Sequence, residues 1–332
     1  MCFNELIQAL RFRGSIQLVK LLVLYISIYL YLLICMESAT ICSAINEGKN
    51  TFSLEFFPPK SEKAAEQLLI TSQELRELNP DFVSITYGAG GTTRETTFKY
   101  AEHLKNDFDY KVMPHLTCVG HSREEILAIL NSYSASNIKT IMALRGDPPL
   151  GETNFSPHPE GFKFASELVD FIDNQKLDFE IGVGGYPEKH PEAPSIEQDI
   201  DNLEKKVAAG ADFITTQLFY NNDHYFEFVK RCRSKKIECP IIPGLMIPNN
   251  LERVERFCAF CNAEFPKALK ALMKAANNDR EALKKIGVEW TFNQIKTLIE
   301  NGAPGIHLYI LNQSEMALLL YKKLKEENIL NR

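Results

Sequence analysis

The chain has 332 residues, 45% of them hydrophobic, which is enough to bury one large core. Its 37 basic and 43 acidic residues give a net charge of -6, and no basic block is long enough to follow a phosphate backbone. These properties argue against nucleic acid as a partner and favour one catalytic domain with a short extension.

The first 49 residues differ in character from the rest. Residues 21–36 read LLVLYISIYLYLLICM, without a charge, and Arg11, Arg13 and Lys20 precede them. The pattern resembles a signal or anchor segment, although it is shorter than the ~20 residues that span a bilayer comfortably. We favour the alternative that translation begins at Met36, because nothing later in the chain is typical of a secreted protein. We therefore expect residues 1–49 to be an extension and the protein to be cytoplasmic, with membrane anchoring as the minor alternative.

Short β-branched or aromatic runs alternate with longer helical patterns after residue 49, which is typical of βα units. Eight strands are predicted, at 52–56, 82–87, 112–117, 140–144, 180–184, 213–218, 241–245 and 306–311. Helical patterns lie between them, for example at 62–78, 122–134, 195–209 and 224–235. The sequence therefore predicts an α/β fold, a (β/α)₈ TIM barrel over residues 50–330. Extra helical pattern between Cys258 and Trp290 predicts an elaborated last βα unit.

Polar residues occupy almost every predicted strand end, where barrel enzymes place their chemistry. They are Glu55, Thr86, Tyr87, His115, Arg145, Asp147, Tyr186, Gln217 and Tyr309. Burial of Glu55 between Leu54 and Phe56 is expected to raise its pKa into the range of a general acid. The alternative for Glu55 is a structural carboxylate. Arg145 could likewise form an internal ion pair that supports its loop, and His115 could be a core residue without a ligand.

The helix predicted from Ser195 has two distinct faces. Ser195 and Gln198 predict a capping box, and Ile200 and Leu203 belong to an apolar stripe. Asp199, Asn202 and Lys206 share another face. The run GAGGTT at 88–93 matches neither GxGxxG nor a Walker loop, which disfavours a nicotinamide enzyme of the usual dinucleotide-binding fold.

The eight cysteines are scattered along the chain. The only close pair, Cys258 and Cys261, lies in an apolar run, and no second CxxC or HxxxH completes a zinc set. We expect reduced, buried or half-buried thiols and no bound metal.

Eight sequence blocks resemble the signature blocks of the methylenetetrahydrofolate reductase family. In order along residues 51–324 they are FSLEFFPP (52–59), VSITYG (83–88), PHLTC (114–118), ALRGD (143–147), GYPEKHPEA (185–193), TQLF (216–219), IPG (242–244) and YILN (309–312). The resemblance implies noncovalent FAD, and hydride transfer from NADH or NADPH through the flavin to 5,10-methylenetetrahydrofolate in a ping-pong reaction. It implies that Glu55 is the general acid and that Asp147 is a carboxylate beside the flavin.

The resemblance also assigns binding residues. The implied flavin contacts are Tyr87, Ala89, His115, Arg145, Gly146, Asp147, Ala165, Tyr186, His190, Ala193, Asp199, Asn202, Lys205 and Lys206. The implied substrate contacts are Glu55, Thr86, Asp147, Gln217, Arg253, Phe257, Tyr309 and Gln313. Arg253 and Gln313 depart from the residues usual in the family. The resemblance further implies a homo-oligomer, and the end of the chain soon after the barrel leads us to expect no regulatory C-terminal domain.

Two alternatives use the same predicted barrel. One is a flavin-free hydrolase with Glu55 and Asp147 as paired carboxylates. The other is a non-catalytic barrel that only binds folate. A purified reductase should be yellow from its flavin, whereas a flavin-free hydrolase should be colourless. A barrel that only binds folate should show no flavin oxidation when methylenetetrahydrofolate is added.

Overall fold

The structure, a computed structural model, describes Tyr25 and residues 40–88, 94–147 and 156–332. The chain divides into two compact units, Met1–Thr40 and Ile41–Arg332, and the second contains the barrel. Apart from Tyr25, the apolar segment at 21–36 lies outside the described residues, as does Ala89. Among the described residues, no helix is both long and apolar enough to cross a membrane.

The described strands and helices alternate as predicted. The first half contains α1 (Ile41–Asn46), β1 (Thr51–Phe56), α2 (Glu62–Leu75), a 3₁₀ turn (Arg76–Leu78), β2 (Phe82–Ile85), α3 (Arg94–Phe108), β3 (Val112–Thr117), α4 (Arg123–Ala135) and β4 (Thr140–Leu144). The second half contains α5 (Ala165–Asn174), β5 (Glu180–Gly185), α6 (Ile196–Ala208), β6 (Phe213–Thr216), α7 (Asn222–Ser234), β7 (Ile241–Ile242), β8 (Gly244–Leu245), α8 (Leu251–Cys261), α9 (Lys267–Ala275), α10 (Arg280–Glu300), β9 (Gly305–Tyr309) and α11 (Glu315–Glu326).

The strands form one parallel ring. Their order is β7-β6-β5-β4-β3-β2-β1-β9-β8. The prediction of one continuous strand over 241–245 was wrong, because Pro243, which has no N–H to donate, separates β7 from β8. β7 pairs with β6, and β8 pairs with β9. This broken strand therefore closes the ring, and the predicted TIM barrel is confirmed.

Alternation along the strands separates an outer apolar layer from the barrel interior. The outer layer includes three fully buried residues of β1, namely Phe52, Leu54 and Phe56, which pack with apolar residues of the surrounding helices. Ser53 and Glu55 alternate with them and point inward. A lower interior layer consists of Phe82, Met113, Met142, Phe213 and Ile242. Large apolar side chains thus fill the lower barrel, and the polar residues lie above them.

The short helix α1, which the sequence did not predict, packs against this lower layer. Ile41 is 6% exposed and belongs to the same apolar cluster as Phe82 and Phe213. The carboxylate of Glu180, at the start of β5, accepts hydrogen bonds from Ile41 N at 2.9 Å and Cys42 N at 2.8 Å. Glu180 therefore supplies partners for the backbone N–H groups that open the helix.

Three helices between β8 and β9 confirm the predicted elaboration of the last unit. Helix α8 begins at an Asn250 cap, whose Oδ1 accepts a hydrogen bond from Arg253 N at 2.8 Å. Its buried face contributes Val254, Cys258 and Cys261 to a second apolar cluster, which Tyr309 also joins. Both cysteines are free thiols. Helix α8 thereby packs against the end of β9, where the candidate site lies.

Candidate active site

A buried cluster of polar groups surrounds Glu55 inside the barrel. Glu55 is 7% exposed, and its Oε2 lies 3.4 Å from His115 Nε2 and 3.6 Å from His307 Nε2. Ser84 donates a hydrogen bond to the same oxygen at 3.3 Å. Strand register explains the grouping, because Ser84 is paired with Glu55 across β2 and β1. These contacts make Glu55 a buried carboxylate with two imidazole neighbours.

The two imidazoles reverse the expected pKa shift of Glu55. Burial by itself raises the pKa of this carboxyl group, but His115 and His307 outweigh burial and lower it from 4.5 to about 2. The expectation of a raised pKa was therefore wrong. The resting carboxylate is ionised, and a role as an acid requires that a neighbouring group supply the proton.

His307 was absent from the sequence prediction, yet it is central to this cluster. Its Nδ1 is 2.8 Å from Ser53 Oγ, and its Nε2 is 3.3 Å from Ser84 Oγ. The ring stacks on Phe82 with centroids 5.9 Å apart. His307 precedes Tyr309 by two residues on β9, so strand alternation from the predicted Tyr309 could have identified it.

Tyr309 and Gln217 lie above this cluster at the ends of β9 and β6. The Tyr309 hydroxyl donates to Thr216 O at 2.6 Å, across the broken strand β7–β8. Gln217 N donates to Gly185 O at 2.7 Å, and Gln217 Oε1 accepts from Leu218 N. Burial, together with the charge of Glu55, raises the pKa of Tyr309 well above its usual value. Tyr309 therefore remains a neutral phenol near Glu55.

Arg145 connects the loop after β4 to the loop after β5. Its NH1 and NH2 both donate to the Glu192 carboxylate, each at 2.6 Å. This is the internal ion pair that the sequence left open, and it involves Glu192, which was not predicted. Gly146 follows at φ +86°, where an added Cβ would lie 2.8 Å from Val119 Cγ1. Only glycine fits that turn without strain.

Asp147 is exposed on the same loop. Burial, and then the negative charge of Asp147, raise the pKa of the Cys261 thiol on α8 to about 12. Burial and then the Asp147 carboxylate also raise the pKa of Tyr186, and Cys261 contributes less. The Asp147 carboxylate therefore acts electrostatically on both Cys261 and Tyr186.

The loop after β5 brings several predicted flavin contacts together. The rings of Tyr186 and His190 meet edge to face with centroids 4.5 Å apart. His190 N donates to Asp199 Oδ2 on α6 at 2.8 Å. Lys189 turns back so that its Nζ donates to Ala193 O at 2.5 Å, and its backbone has φ 91°. A non-glycine residue in this region stores strain, which is common in ligand-binding loops.

Helix α6 presents Lys206 toward the end of β5. Lys206 Nζ donates to Gly184 O at 2.6 Å. Burial lowers the pKa of this ammonium group to about 8, although Asp199 opposes the shift. Asn202 and Lys205 are exposed and contact each other at 3.5 Å. The structure thus joins Asp199 and Lys206 to the site and leaves Asn202 and Lys205 at its rim.

The remaining predicted residues occupy two other sides of the barrel mouth. The Tyr87 hydroxyl is 2.9 Å from His121 Nε2, and Thr86 N donates to Phe56 O at 3.0 Å. Ala165 is the first residue of α5. On the side of β8 and β9, one small cavity is lined by Tyr309, Gln313 and Asn249. Arg253 NH1 reaches Asn249 Oδ1 at 3.5 Å, and Phe257 is half-buried against the second apolar cluster.

The barrel mouth has room and hydrogen-bonding groups for a planar cofactor. At the inward-facing Gly184 of β5, an added Cβ would meet only Leu144 Cδ2, at 3.5 Å. Two buried hydroxyls, Thr117 Oγ1 and Thr215 Oγ1, have no hydrogen-bond partner among the described residues. Open space next to buried polar groups and a buried lysine fits a flat, anionic, hydrogen-bonding ligand such as a flavin nucleotide.

Comparison with known proteins agrees with this geometry. The sequence profile of the family described as "Methylenetetrahydrofolate reductase" matches residues 40–325. Over 302 residues the chain is 37% identical to Methylenetetrahydrofolate reductase (NADH) 1 of Arabidopsis thaliana, covering 87% of this chain and 51% of the plant protein. Over 271 residues it is 35% identical to 5,10-methylenetetrahydrofolate reductase of Salmonella typhimurium, covering 82% of this chain and 89% of the bacterial protein. The chain thus spans about half the length of the plant relatives it matches.

A solved structure shares the fold. It is an uncharacterised Clostridium thermocellum protein described as binding two copies of 5-methyl-5,6,7,8-tetrahydrofolic acid. The TM-score is 0.59 at 15% identity, over 87% of this chain and 100% of that one. At this identity the likeness extends to the fold alone.

Proposed function

This chain belongs to the methylenetetrahydrofolate reductase family, and from that premise we propose that it reduces 5,10-methylenetetrahydrofolate to 5-methyltetrahydrofolate. The observation that carries the proposal is the buried Glu55 carboxylate between His115 and His307, beneath an open barrel mouth. Opening the methylene bridge of the substrate needs a proton at a folate nitrogen, and a buried acid supplies it in a water-poor site.

We propose FAD as the cofactor and NADH or NADPH as the electron donor, as in the family. When bound, the flavin would accept a hydride from the nicotinamide and pass it to the folate. Lys206 and Asp199 of α6 would hold its polar tail, since their hydrogen bonds to Gly184 O and His190 N join them to β5 and the loop after it. Tyr186, His190 and the Arg145–Gly146–Asp147 loop would line its ring, because Tyr186 and His190 follow β5 and Arg145 pairs with Glu192 of the same loop.

Glu55 serves as the acid in this proposal. His115 and His307 are the groups able to return a proton to it, since both imidazoles lie within 3.6 Å of its Oε2. Tyr309 and Gln217, at the ends of β9 and β6, and Phe257 on the neighbouring helix α8 would position the pterin. Arg253 and Gln313, near one small cavity on the β9 side, would contact the folate tail.

A hydrolase using Glu55 and Asp147 as a matched pair is disfavoured. Glu55 is buried among imidazoles, whereas Asp147 is exposed on a loop beside α8. A carboxylate pair for glycoside chemistry requires two groups that flank one bond. We therefore do not propose this activity, and turnover in the test below separates a reductase from a barrel that only binds folate.

Purified protein tests the proposal in two steps. We expect a yellow protein whose flavin absorbance bleaches under anaerobic conditions when NADH or NADPH is added. Subsequent addition of methylenetetrahydrofolate should restore the absorbance and release 5-methyltetrahydrofolate. A colourless protein that gains no flavin on incubation with FAD would contradict the proposal, and so would a reduced flavin that the folate fails to reoxidise.

A further inference from the structure

A histidine and two glutamates from three separate segments meet on the outside of the barrel mouth. Glu188 lies in the loop after β5, His224 lies in the first turns of α7, and Glu264 lies between α8 and α9. His224 Nε2 is 2.8 Å from Glu264 Oε2 and 3.3 Å from Glu188 Oε2. One ligand atom from each of the three residues lies within 4.8 Å of the others.

The two separations from His224 suit a tetrahedral metal ion. Zinc binds imidazole nitrogen and carboxylate oxygen at about 2.0–2.2 Å, so two ligands on one tetrahedral ion are about 3.4 Å apart. The His224–Glu188 distance of 3.3 Å already matches that edge. The His224–Glu264 distance of 2.8 Å is a hydrogen bond, and a shift of about half an ångström would convert it to the same edge.

The hydrogen atoms available in this group leave the Glu188 carboxylate without a hydrogen bond from His224. His224 Nε2 carries at most one hydrogen, and Glu264, as the nearer acceptor, receives it. Glu188 Oε2 receives only the backbone N–H of Glu264, at 2.7 Å. Glu188 Oε1 is buried and has no hydrogen-bond partner among the described residues. In the described part of the chain, neither carboxylate forms an ion pair with a lysine or arginine.

We propose that Glu188, His224 and Glu264 bind a divalent cation, with Zn²⁺ the best match to one imidazole and two carboxylates. This site is separate from the flavin and folate groups described above, and it differs from the sequence expectation of no metal. That expectation rested on cysteine and histidine spacing, which cannot detect three ligands from distant segments.

The surroundings provide access and support for such an ion. Asn221 Nδ2 donates to Glu264 Oε2 at 3.2 Å and so orients that carboxylate. Asn221 also lines an open cavity of about 350 Å³ between Tyr220, Pro266 and Trp290. His224 and Glu264 are themselves 35% and 44% exposed, so solvent can reach the cluster and supply the remaining ligand. A three-residue set completed by water is the usual arrangement of an open zinc site.

The cation would stabilise the β5–α6 loop, which carries several of the predicted flavin contacts. Glu188 lies two residues from both Tyr186 and His190, whose rings meet at 4.5 Å. Linking Glu188 to α7 and to the α8–α9 connection would fix the β5–α6 loop against two neighbouring elements. We therefore expect metal removal to loosen this loop and to leave the Glu55 cluster in place.

Metal titration of the chelator-treated full chain tests the site. We expect calorimetry with ZnCl₂ to give one ion per chain and a higher Tm with zinc present. Glu188→Gln and His224→Gln keep side-chain size, and each should weaken zinc binding by about 100-fold or more. His103→Gln is the matched control, because His103 pairs with Asp107 at 2.7 Å on an exposed helix face without a third ligand. This control should bind zinc like the wild type.

Cobalt substitution distinguishes this site from adventitious binding to cysteines. Co²⁺ held by one nitrogen and oxygen ligands should show visible bands without the thiolate-to-metal charge-transfer absorption in the ultraviolet. The proposal is overturned if zinc binds equally to the wild type and to His224→Gln, if no zinc binds at micromolar concentrations, or if the cobalt spectrum reports thiolate ligands. Circular dichroism verifies that both variants remain folded, so that lost binding reports the site.

Discussion

His307 contacts both inward side chains of the neighbouring strand β1, with Nδ1 2.8 Å from Ser53 Oγ and Nε2 3.6 Å from Glu55 Oε2. The contact follows from register, because Ser53 pairs with His307 and Glu55 pairs with Tyr309 across β1 and β9. One imidazole therefore bridges a serine and the candidate acid without any backbone rearrangement. This relationship makes Glu55 and His307 the two residues most informative to mutate.

Replacing Glu55 with glutamine should separate the two half-reactions of the proposed activity. Glu55→Gln keeps the size of the side chain but removes the titratable proton. Reduction of the flavin by the nicotinamide should change less than about threefold, because that step needs no proton from Glu55. The folate half-reaction should slow by about 10² to 10⁴-fold, the usual contribution of a general acid. Stopped-flow absorbance of the flavin measures both rates.

The control for this experiment is Glu66→Gln, since Glu66 is exposed on α2, far from the barrel interior. Both rates should match the wild type. Equal slowing of the two half-reactions in Glu55→Gln would show that the residue supports the whole site and does not act as the acid.

Replacing His307 with glutamine should raise the pKa of Glu55. Burial raises this pKa, and the neighbouring imidazoles bring it down to about 2. Removing one imidazole leaves burial less opposed, so the pH at which the folate half-reaction levels off should rise by about one unit or more. His103→Gln, at an exposed histidine, should leave the profile unchanged. An identical pH profile in His307→Gln would mean that this imidazole does not control Glu55.

The fold was predictable because each strand carries its own alternation of apolar and polar residues. All eight predicted strand positions contain strands, with ends displaced by only a few residues. Pro243 did signal an interruption of the strand at 241–245, but the sequence does not state that β7 pairs with β6 and β8 with β9. Helix α1 was missed because its six residues are too few to show a repeating helical pattern. The residue that caps it, Glu180, lies 139 residues from Ile41 in the sequence.

The site was only partly predictable, for a related reason. The neighbours of Glu55 in sequence, Leu54 and Phe56, are apolar and suggested a raised pKa. Those side chains point to the helices, whereas the inward neighbours of Glu55 come from β2, β3 and β9. Strand register across the ring decides the pKa, and the linear sequence does not state that register.

Arg145 and Glu192 should be energetically coupled, but weakly. Their side chains are 23% and 54% exposed, so solvent screens the pair despite its two-pronged geometry. A double-mutant cycle with Arg145→Ala and Glu192→Ala should give a coupling of about 0.5–1 kcal/mol in the free energy of unfolding. In 1 M salt the coupling should shrink toward zero. A coupling that salt leaves unchanged would indicate that packing, not charge, joins these loops.

Lys206→Met should stabilise the cofactor-free protein at neutral pH. Burial lowers the pKa of Lys206 to about 8 in the folded state, compared with 10.5 for a free lysine. The charged form therefore costs folding free energy below pH 8, and the cost disappears as the pH rises from 8 to 10.5. The substitution also removes the hydrogen bond to Gly184 O, which offsets part of this effect. We therefore expect the free energy of unfolding to rise by about 1–2 kcal/mol at pH 7 and not to rise at pH 10.5.

Urea unfolding at the two pH values measures this gain. Lys205→Met is the matched control, because Lys205 is the adjacent residue on α6 and is exposed. It should change stability by less than about 0.5 kcal/mol at either pH. A gain for Lys206→Met that persists at pH 10.5 would assign the effect to the added apolar side chain and not to the buried charge.

Gly146→Ala should destabilise the protein more than Gly302→Ala, although both glycines have φ +86°. The shared backbone angle gives both alanine variants the same conformational penalty, about 1 kcal/mol. At Gly302 no atom lies within 4 Å of the added Cβ, whereas at Gly146 it would meet Val119 Cγ1 at 2.8 Å and Thr117 Cβ at 3.0 Å. These are β-branched side chains with little freedom to move.

We expect chemical unfolding to show that the free energy of unfolding falls by about 1 kcal/mol for Gly302→Ala and by about 2–4 kcal/mol for Gly146→Ala. The difference between the two losses measures the steric part alone. Equal losses would show that the loop after β4 can shift away from β3, and the close approach of Gly146 to Thr117 would then not fix the position of Arg145 and Asp147.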